Sequence, residues 1–327
     1  MVRLSTSTAM TSYLGVRAWE TPNSPGVLAA ITSQAAAQKQ HNACILPLPS
    51  LGGTSRIEYW RTPDGAFVVE CPPLILHQSG DWLFGVLALP EKAGANQFES
   101  CIEAAYKQIM QENNERGYPH LLRVWNYFAA INQGQGDDER YRRFCTARAR
   151  IISNKPETGY AAATVIGIPE LPSMIHIHWL ASKTPGMPID NPRQVNAWEY
   201  PREYGNVPPL FSRAMLVNTM QKPLLLVSGT ASILGHESKH HDVIAQLDET
   251  LNNLNIVIEA AARKTGTQSQ LSEKSLLRVY LRNAQDAPQV LRYLQERIGV
   301  NATFMLLQGD ICRTNLLVEI ELVQPLA

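Results

Sequence analysis

Two stretches of the chain carry the same periodic arrangement of apolar positions. In "QFESCIEAAYKQIMQENNERG", Phe98, Ile102, Ala105, Ile109 and Met110 recur at helical spacing and predict an amphipathic helix. In "HDVIAQLDETLNNLNIVIEAA", Val243, Ile244, Leu247, Leu251, Leu254 and Ile258 do the same. A strand-like run precedes each helix, "DWLFGVLALP" in one case and "KPLLLVSGTASI" in the other. After each comes another, "LLRVWNYF" from Leu121 and "LLRVYLRN" from Leu276. A second, charged helix pattern follows ("DDERYRRFCTARARI" and "DAPQVLRYLQERIG"). Each half then closes with two alternating strands: "AAATVIGI" and "MIHIHWLA", then "ATFMLLQG" and "LLVEIELV". The order strand–helix–strand–helix–strand–strand thus occurs twice, about 150 residues apart, which predicts a duplicated α+β architecture with helices on one face of each sheet.

The pattern also sets expected boundaries: an N-terminal extension over 1–44, a first domain over 45–180, a connection over 181–210 and a second domain over 211–327. The extension is Ser/Thr-rich and reads as a mobile start, with strand patterns beginning near Cys44. The connection contains Trp198, Tyr200, Tyr204, several prolines and no clear period, and Phe211 follows it directly. Such composition fits a surface linker. Its aromatics and arginines fit better a loop folded over a cleft between the halves.

Composition removes several classes of function. Lys+Arg and Asp+Glu both number 29, so no net charge argues for nucleic acid or an acidic membrane surface. No apolar run is long enough for a membrane span, and the first residues lack the apolar core of a signal peptide. The five cysteines are odd in number and scattered, which suits reduced thiols in a cytoplasm.

"GHESKHHD" spells His-Glu-x-x-His with His236, Glu237 and His240, the pattern of a zinc-protease helix. Here it follows a strand and a glycine turn, and the helix is expected to begin only near His241–Asp242, with Asp242 as N-cap or first-turn acid. No later histidine completes a ligand set, so the motif reads as a polar loop or helix start, with no metal. "SGTAS" (Ser228–Ser232) places small residues at a strand end, where backbone can approach a ligand or where a bulge sits. In "GDICRTNLLVEIELV", period-two alternation puts Glu319 and Glu321 on one strand face. Glu321 is expected to face solvent. His176 and His178 are read as the equivalents in the first half, so the two faces differ chemically and only one half is expected to work.

These words together resemble a known family. Each half resembles a RidA/YjgF-type domain in its strand ending "SG", its long helix, its "LLRV" strand and its terminal "VEIE". The combination "NPRQVNAWEYPREYG…PPLFSRA", "LLVSGTASILGHESKHHDVIAQ" and "GDICRTNLLVEIE" is similar to the chorismatases, from about residue 45 onward. The resemblance implies two tandem RidA/YjgF-like domains, the first degenerate and the second catalytic. It also implies an enzyme that cleaves chorismate without a cofactor, as a monomer or small homo-oligomer.

Chorismate carries two carboxylates and an enolpyruvyl ether. Arg148 and Arg213 are the candidates by motif for gripping the carboxylates, with Tyr200, Tyr204 and Thr230 as hydroxyl donors, Gly229 and Ala231 lining the ring, and Arg313 carried over from the RidA pattern. Without the resemblance, Arg148 reads equally well as an exposed helix charge. Protonating the ether's methylene carbon needs an acid still protonated near neutral pH, and Glu319 fits by position and by resemblance. In the family, the branch making 3-hydroxybenzoate carries cysteine seven residues before the acid, and Cys312 stands seven before Glu319. That branch is expected to show a further glycine near the ring, where Ala231 stands here. A mixed branch yields 4-hydroxybenzoate as well. The alternatives are a RidA-type enamine/imine hydrolase and a non-catalytic protein binding an aromatic metabolite.

Overall fold

A computed structural model describes residues 14–17, 26–33, 43–55, 57–91, 97–152, 159–169, 174–219 and 221–326. The described residues begin with β1 (Gly15–Arg17), β2 (Val27–Thr32), β3 (Ala43–Ile45), β4 (Ser50–Gly53) and β5 (Ile57–Arg61). The first repeat follows as β6 (Phe67–Cys71), β7 (Leu74–Ser79), β8 (Trp82–Pro90), α1 (Gln97–Glu115), β9 (His120–Ala129), α2 (Arg140–Ile152), β10 (Ala162–Ile168) and β11 (Met174–Ser182). The second contains β12 (Met187–Ile189), β13 (Ala214–Val217), β14 (Leu224–Ala231), a small hairpin of β15 (Ile233–Leu234) and β16 (Glu237–Ser238), then α3 (Val243–Thr265), β17 (Leu276–Leu281), α4 (Ala287–Ile298), β18 (Thr303–Gln308) and β19 (Val318–Pro325).

The duplication is written in the strand order. One sheet runs β10-β9-β11-β8-β7-β6 and the other β12-β13-β14-β19-β17-β18-β4, so β10-β9-β11-β8 and β18-β17-β19-β14 are the same four-strand arrangement. In both, the strands flanking the second helix are parallel and the last strand runs antiparallel between its neighbours. Helices α1 and α2 cover one face of the first sheet through Ile102, Ile109 and Phe144. Helices α3 and α4 cover the second sheet through Leu247, Leu251, Leu254, Ile258, Val290 and Leu294. Each such fully buried aliphatic side chain contributes roughly 1.5–3 kcal/mol. Of the foreseen stripes, Phe98, Ile102, Ala105 and Ile109 and Val243, Leu247, Leu251, Leu254 and Ile258 are buried, whereas Met110 and Ile244 are only partly so. Asp242 caps α3, its Oδ1 accepting the Ala245 N–H at 2.9 Å, and Gly266 ends it in the left-handed conformation.

The opposite faces of the two sheets share a core with the N-terminal strands. Trp60, Phe84 and Trp125 meet there with ring centroids 5.9–6.2 Å apart, beside Tyr280 and Met305. This changes the reading of the N-terminal extension. Residues 1–13, 18–25 and 34–42 lie outside the described residues, but β2 is buried along its whole length and pairs with β5 and β3. Its "VLAAIT" lacks alternation because both its faces are covered. Nor does residue 45 mark a change of sheet: β4 joins the second repeat's sheet beside β18, whereas β5 returns to the N-terminal one. The second sheet likewise begins inside the connection, with β12.

Candidate active site

The site forms where the repeats meet. Strand β10 of the first lies against β14 of the second, tied by the Ala163 N–H to Ser228 Oγ at 2.9 Å and the Gly229 N–H to Thr164 Oγ1 at 3.0 Å. The ladder between β14 and β19 shifts register between Val227 and Thr230, so "SGT" forms a β-bulge. A cleft of about 370 Å³ opens over it. Its walls include Glu319 from β19, Gly229 and Ala231 from β14, Cys312 and Arg313 after β18, Tyr200 and Tyr204 from the connection, and Arg213 just before β13.

Glu319 is buried, with its carboxyl against Gly229. A Cβ on that glycine would stand 1.9 Å from Glu319 Oε1, so the residue must be glycine for the acid to occupy its place. Burial, and then the negative charge of Glu321, push the Glu319 carboxyl up to about 8, with Arg123 pulling the other way. The group is a neutral acid at neutral pH. Cys312 has its thiol pushed up to about 12, first by burial and then by Glu319, so it stays protonated and is no nucleophile.

Glu321 corrects the expectation of a solvent face. It is 4% exposed, and its carboxylate accepts from Arg123 at 2.6 Å, Trp125 Nε1 at 2.8 Å and Thr164 Oγ1 at 2.5 Å, with Arg278 Nη1 at 2.9 Å. Arg278 in turn forks onto Glu58 at 2.7 and 2.8 Å. Two acids and two guanidiniums therefore form a closed, neutral cluster joining the three larger sheets. Such a cluster contributes little net stability, but losing one member strands a buried charge at a cost of about 3–5 kcal/mol.

Strand register also corrects the pairing of the repeats. Aligned on their shared Leu-Leu-Arg-Val, Arg278 faces Glu321 where Arg123 faces Leu180, and Tyr280 faces Glu319 where Trp125 faces His178. His178 is thus the counterpart of Glu319, and Glu321 has only Leu180 opposite it in the repeat.

Arg148 is no exposed helix charge. It is 4% exposed at the back of a smaller chamber of about 40 Å³ behind Glu319, which shares Tyr141, Phe211, Gly229 and Cys312 with the main cleft. Its Nη1 donates to the Leu210 carbonyl at 2.8 Å and its guanidinium stands 5.2 Å from the Tyr106 ring, near enough to act on that residue's hydroxyl, while Nε and Nη2 have no well-formed hydrogen bond among the described residues. Neighbouring Tyr106 donates its hydroxyl to Asn126. Arg213 similarly donates Nη2 to Val195 O and Tyr200 Oη, leaving Nε buried without an acceptor. Two buried arginines with idle donors are what an anionic ligand satisfies.

Arg313 lies 3.9 Å over the Tyr204 ring and donates to the His236 carbonyl at 2.8 Å, so it holds the aromatic loop and the β15–β16 hairpin together. The His-Glu-x-x-His residues lie in that hairpin and the turn after it, with His240 at φ +64°, rather than on a helix. The two histidines therefore share no helical face. Thr230 is the one candidate turned away from the cleft: its hydroxyl donates to the Ser228 carbonyl at 2.9 Å, because residues 229 and 231 take the cleft side of the strand.

Sequence reasoning missed Tyr141, Phe211 as a wall, and Thr164. Tyr141 carried a usable signal, since Tyr141, Cys145 and Arg148 fall at i, i+4 and i+7 on one face of α2. Burial raises its hydroxyl well above the ordinary value, reinforced by Cys145, Cys312 and Glu319.

Residues 58–181 match the family described as chorismatase FkbO/Hyg5-like, N-terminal. The chain is 36% identical over 251 residues to a chorismatase of Streptomyces rapamycinicus, spanning 74% of each. The chain belongs to the chorismatase family. A 3-hydroxybenzoate synthase of Streptomyces hygroscopicus is 32% identical over 276 residues, covering 81% of this chain and 80% of its own. A chorismatase crystal structure superposes with a TM-score of 0.78 at 29% identity, covering 97% of this chain and 99% of that one. The tandem α+β architecture is therefore that of a chorismatase, and the chain is an enzyme of this family. No helix among its described residues is long and apolar enough to cross a membrane.

Proposed function

We propose that this chorismatase cleaves chorismate to pyruvate and 3-hydroxybenzoate, with Glu319 as the proton donor. The observation that carries the reading is a neutral, buried carboxyl in a cleft whose arginines have idle donors. Glu319 gives its proton to the methylene carbon of the enolpyruvyl ether, whose π electrons form the new C–H bond and leave an oxocarbenium ion. The ring hydroxyl then attacks the neighbouring ring carbon, whose bond to the ether oxygen breaks to release pyruvate, while the hydroxyl proton passes to the Glu319 carboxylate and restores the acid. The resulting arene-oxide-like species opens and loses a ring proton to give the phenol, so no water is consumed. Cys312, a neutral thiol between Glu319 and α2, closes the wall from which water would otherwise intercept the cation. Arg148 at the back and Arg213 at the mouth bind the two carboxylates.

Purified protein incubated with chorismate tests this, with pyruvate followed by a coupled assay and aromatic products by chromatography. Equal amounts of pyruvate and 3-hydroxybenzoate are expected. Pyruvate with only a dihydroxy-cyclohexadiene carboxylate would reject the assigned product, and no pyruvate above the uncatalysed background would reject the reading as a whole.

A further inference from the structure

The Thr164 hydroxyl has all its hydrogen-bonding capacity committed within one small region. It accepts from Arg123 Nη2 at 2.5 Å and from the Gly229 N–H at 3.0 Å, and it donates to Glu321 at 2.5 Å. A threonine hydroxyl has two acceptor positions and one proton, so nothing is left over. Glu319 lies against that same glycine: a Cβ on Gly229 would meet Glu319 Oε1 at 1.9 Å and Thr164 Oγ1 at 3.2 Å, so both acceptors approach it from one side. No hydrogen bond among the described residues acts on the Glu319 carboxyl, whose shift comes from burial first and then Glu321, with Arg123 opposing. The β-bulge is what makes this possible, because Gly229 leaves the ladder and its N–H points across to the first repeat.

We propose that Thr164 is a positioning residue: by taking up the Gly229 N–H and an Arg123 N–H while donating its own proton to Glu321, it keeps both donors off Glu319. A carboxyl that accepted either donor would be stabilised as the anion and would hold its proton less well. Removing the hydroxyl frees the Gly229 N–H beside Glu319 Oε1 and loosens Arg123 from its second acceptor. The first repeat therefore acts on the acid without touching the reacting atoms.

Other charged and titratable groups face Glu319 as well. Helix α2 presents Tyr141, Cys145 and Arg148, and the segment after β18 presents Cys312 and Arg313. Strand β17 places Tyr280 opposite Glu319 and Arg278 on Glu321. None of these accepts the Gly229 amide, so substitution of Thr164 changes one contact set and leaves them in place.

The inference rests on Glu319 being the acid, and its test separates the two. In the full chain labelled with ¹³C at glutamate carboxyls, the resonance lost in Glu319→Gln identifies the group, and its titration needs no chorismate. Thr164→Val, which keeps the shape and removes the hydroxyl, is expected to lower the Glu319 midpoint by about one unit or more. Thr164→Ser restores the hydroxyl and is expected to stay within about 0.3 units of the unsubstituted protein. Thr164→Ala serves the same purpose if valine does not pack. With chorismate, the alkaline limb of kcat/KM should move down with the midpoint. A midpoint unmoved by both Thr164→Val and Thr164→Ala would overturn the proposal, since a merely structural role lowers thermal stability without shifting it. Undiminished pyruvate release by Glu319→Gln would instead strike the acid assignment and leave the titration result standing.

Discussion

Strands β11 and β19 occupy the same place in their sheets, yet equivalent positions on them carry opposite chemistry. His178 stands between Phe84 and Tyr127, with centroids 6.4 and 5.7 Å away, and neither ring nitrogen has a hydrogen-bond partner among the described residues. Burial first, then His176, Arg278 and His77, hold it down at about 3. Glu319 is as deeply placed, but a cleft opens beyond it and its proton is held up to about 8. The fold neutralises whichever ionisable group sits there, base or acid. Access decides whether that neutrality does chemistry, and access comes from Gly229 and the bulge.

The hardest test of this contrast is Glu319→Gln, which keeps the shape but removes the transferable proton. Pyruvate release should fall by roughly a hundred- to ten-thousand-fold while chorismate still binds, as read by single-turnover kinetics and a binding titration. Next in size is Arg148→Met. Removing a buried charged donor set aimed into the chamber should raise KM by roughly ten- to hundred-fold, with a smaller change in kcat. Cys312→Ala should leave pyruvate release within about threefold and move the aromatic product toward the hydrolysed diol, measured by chromatography. Unchanged hydroxybenzoate output would place the partition elsewhere on the cleft wall.

The smallest effect is on stability, and it should have opposite signs in the two repeats. Between about 3 and 6.5 the unfolded chain binds a proton at His178 that the folded one refuses, so folding weakens as pH falls through that window. Between 4.5 and about 8 the folded chain keeps a proton at Glu319 that the unfolded one releases, so folding weakens as pH rises through it. His178→Phe should therefore flatten the acid side of a plot of Tm against pH, and Glu319→Gln the neutral-to-alkaline side, each by roughly a few degrees. Parallel curves for either variant would mean that the position contributes nothing to linkage.

Much of this was legible before any coordinates. Repeated periodicity gave the helices, the succession of elements along the chain and the face shared by Glu319 and Glu321, because period and alternation are local properties of a chain. What escaped depended on partners far away in sequence. Glu321 reads as a surface acid until Arg123, 198 positions earlier, is seen to meet it. Arg148 reads as a helix charge until the connection folds over it at Leu210. Strand β2 gave no signal because a strand covered on both faces has no alternation to detect. Thr164 was invisible for a similar reason: a threonine within an apolar strand looks like any other β-branched filler.

Strand β4 has a consequence for how the molecule comes to be assembled. It completes the edge of the second sheet by pairing with β18, so Gly53 meets Met305 across about 250 residues of chain. During synthesis β4 is made early and its neighbour late, and until then its backbone groups must wait on water or on a helper protein. Contacts of such long reach slow folding, because the entropy of closing the loop is lost before the contact returns anything. The first repeat's sheet, whose strands all lie between residues 67 and 182, needs nothing from the later chain to pair. It can serve as the surface on which the catalytic half condenses, so maturation of the cleft waits on β18 and β19, which are made well after β4.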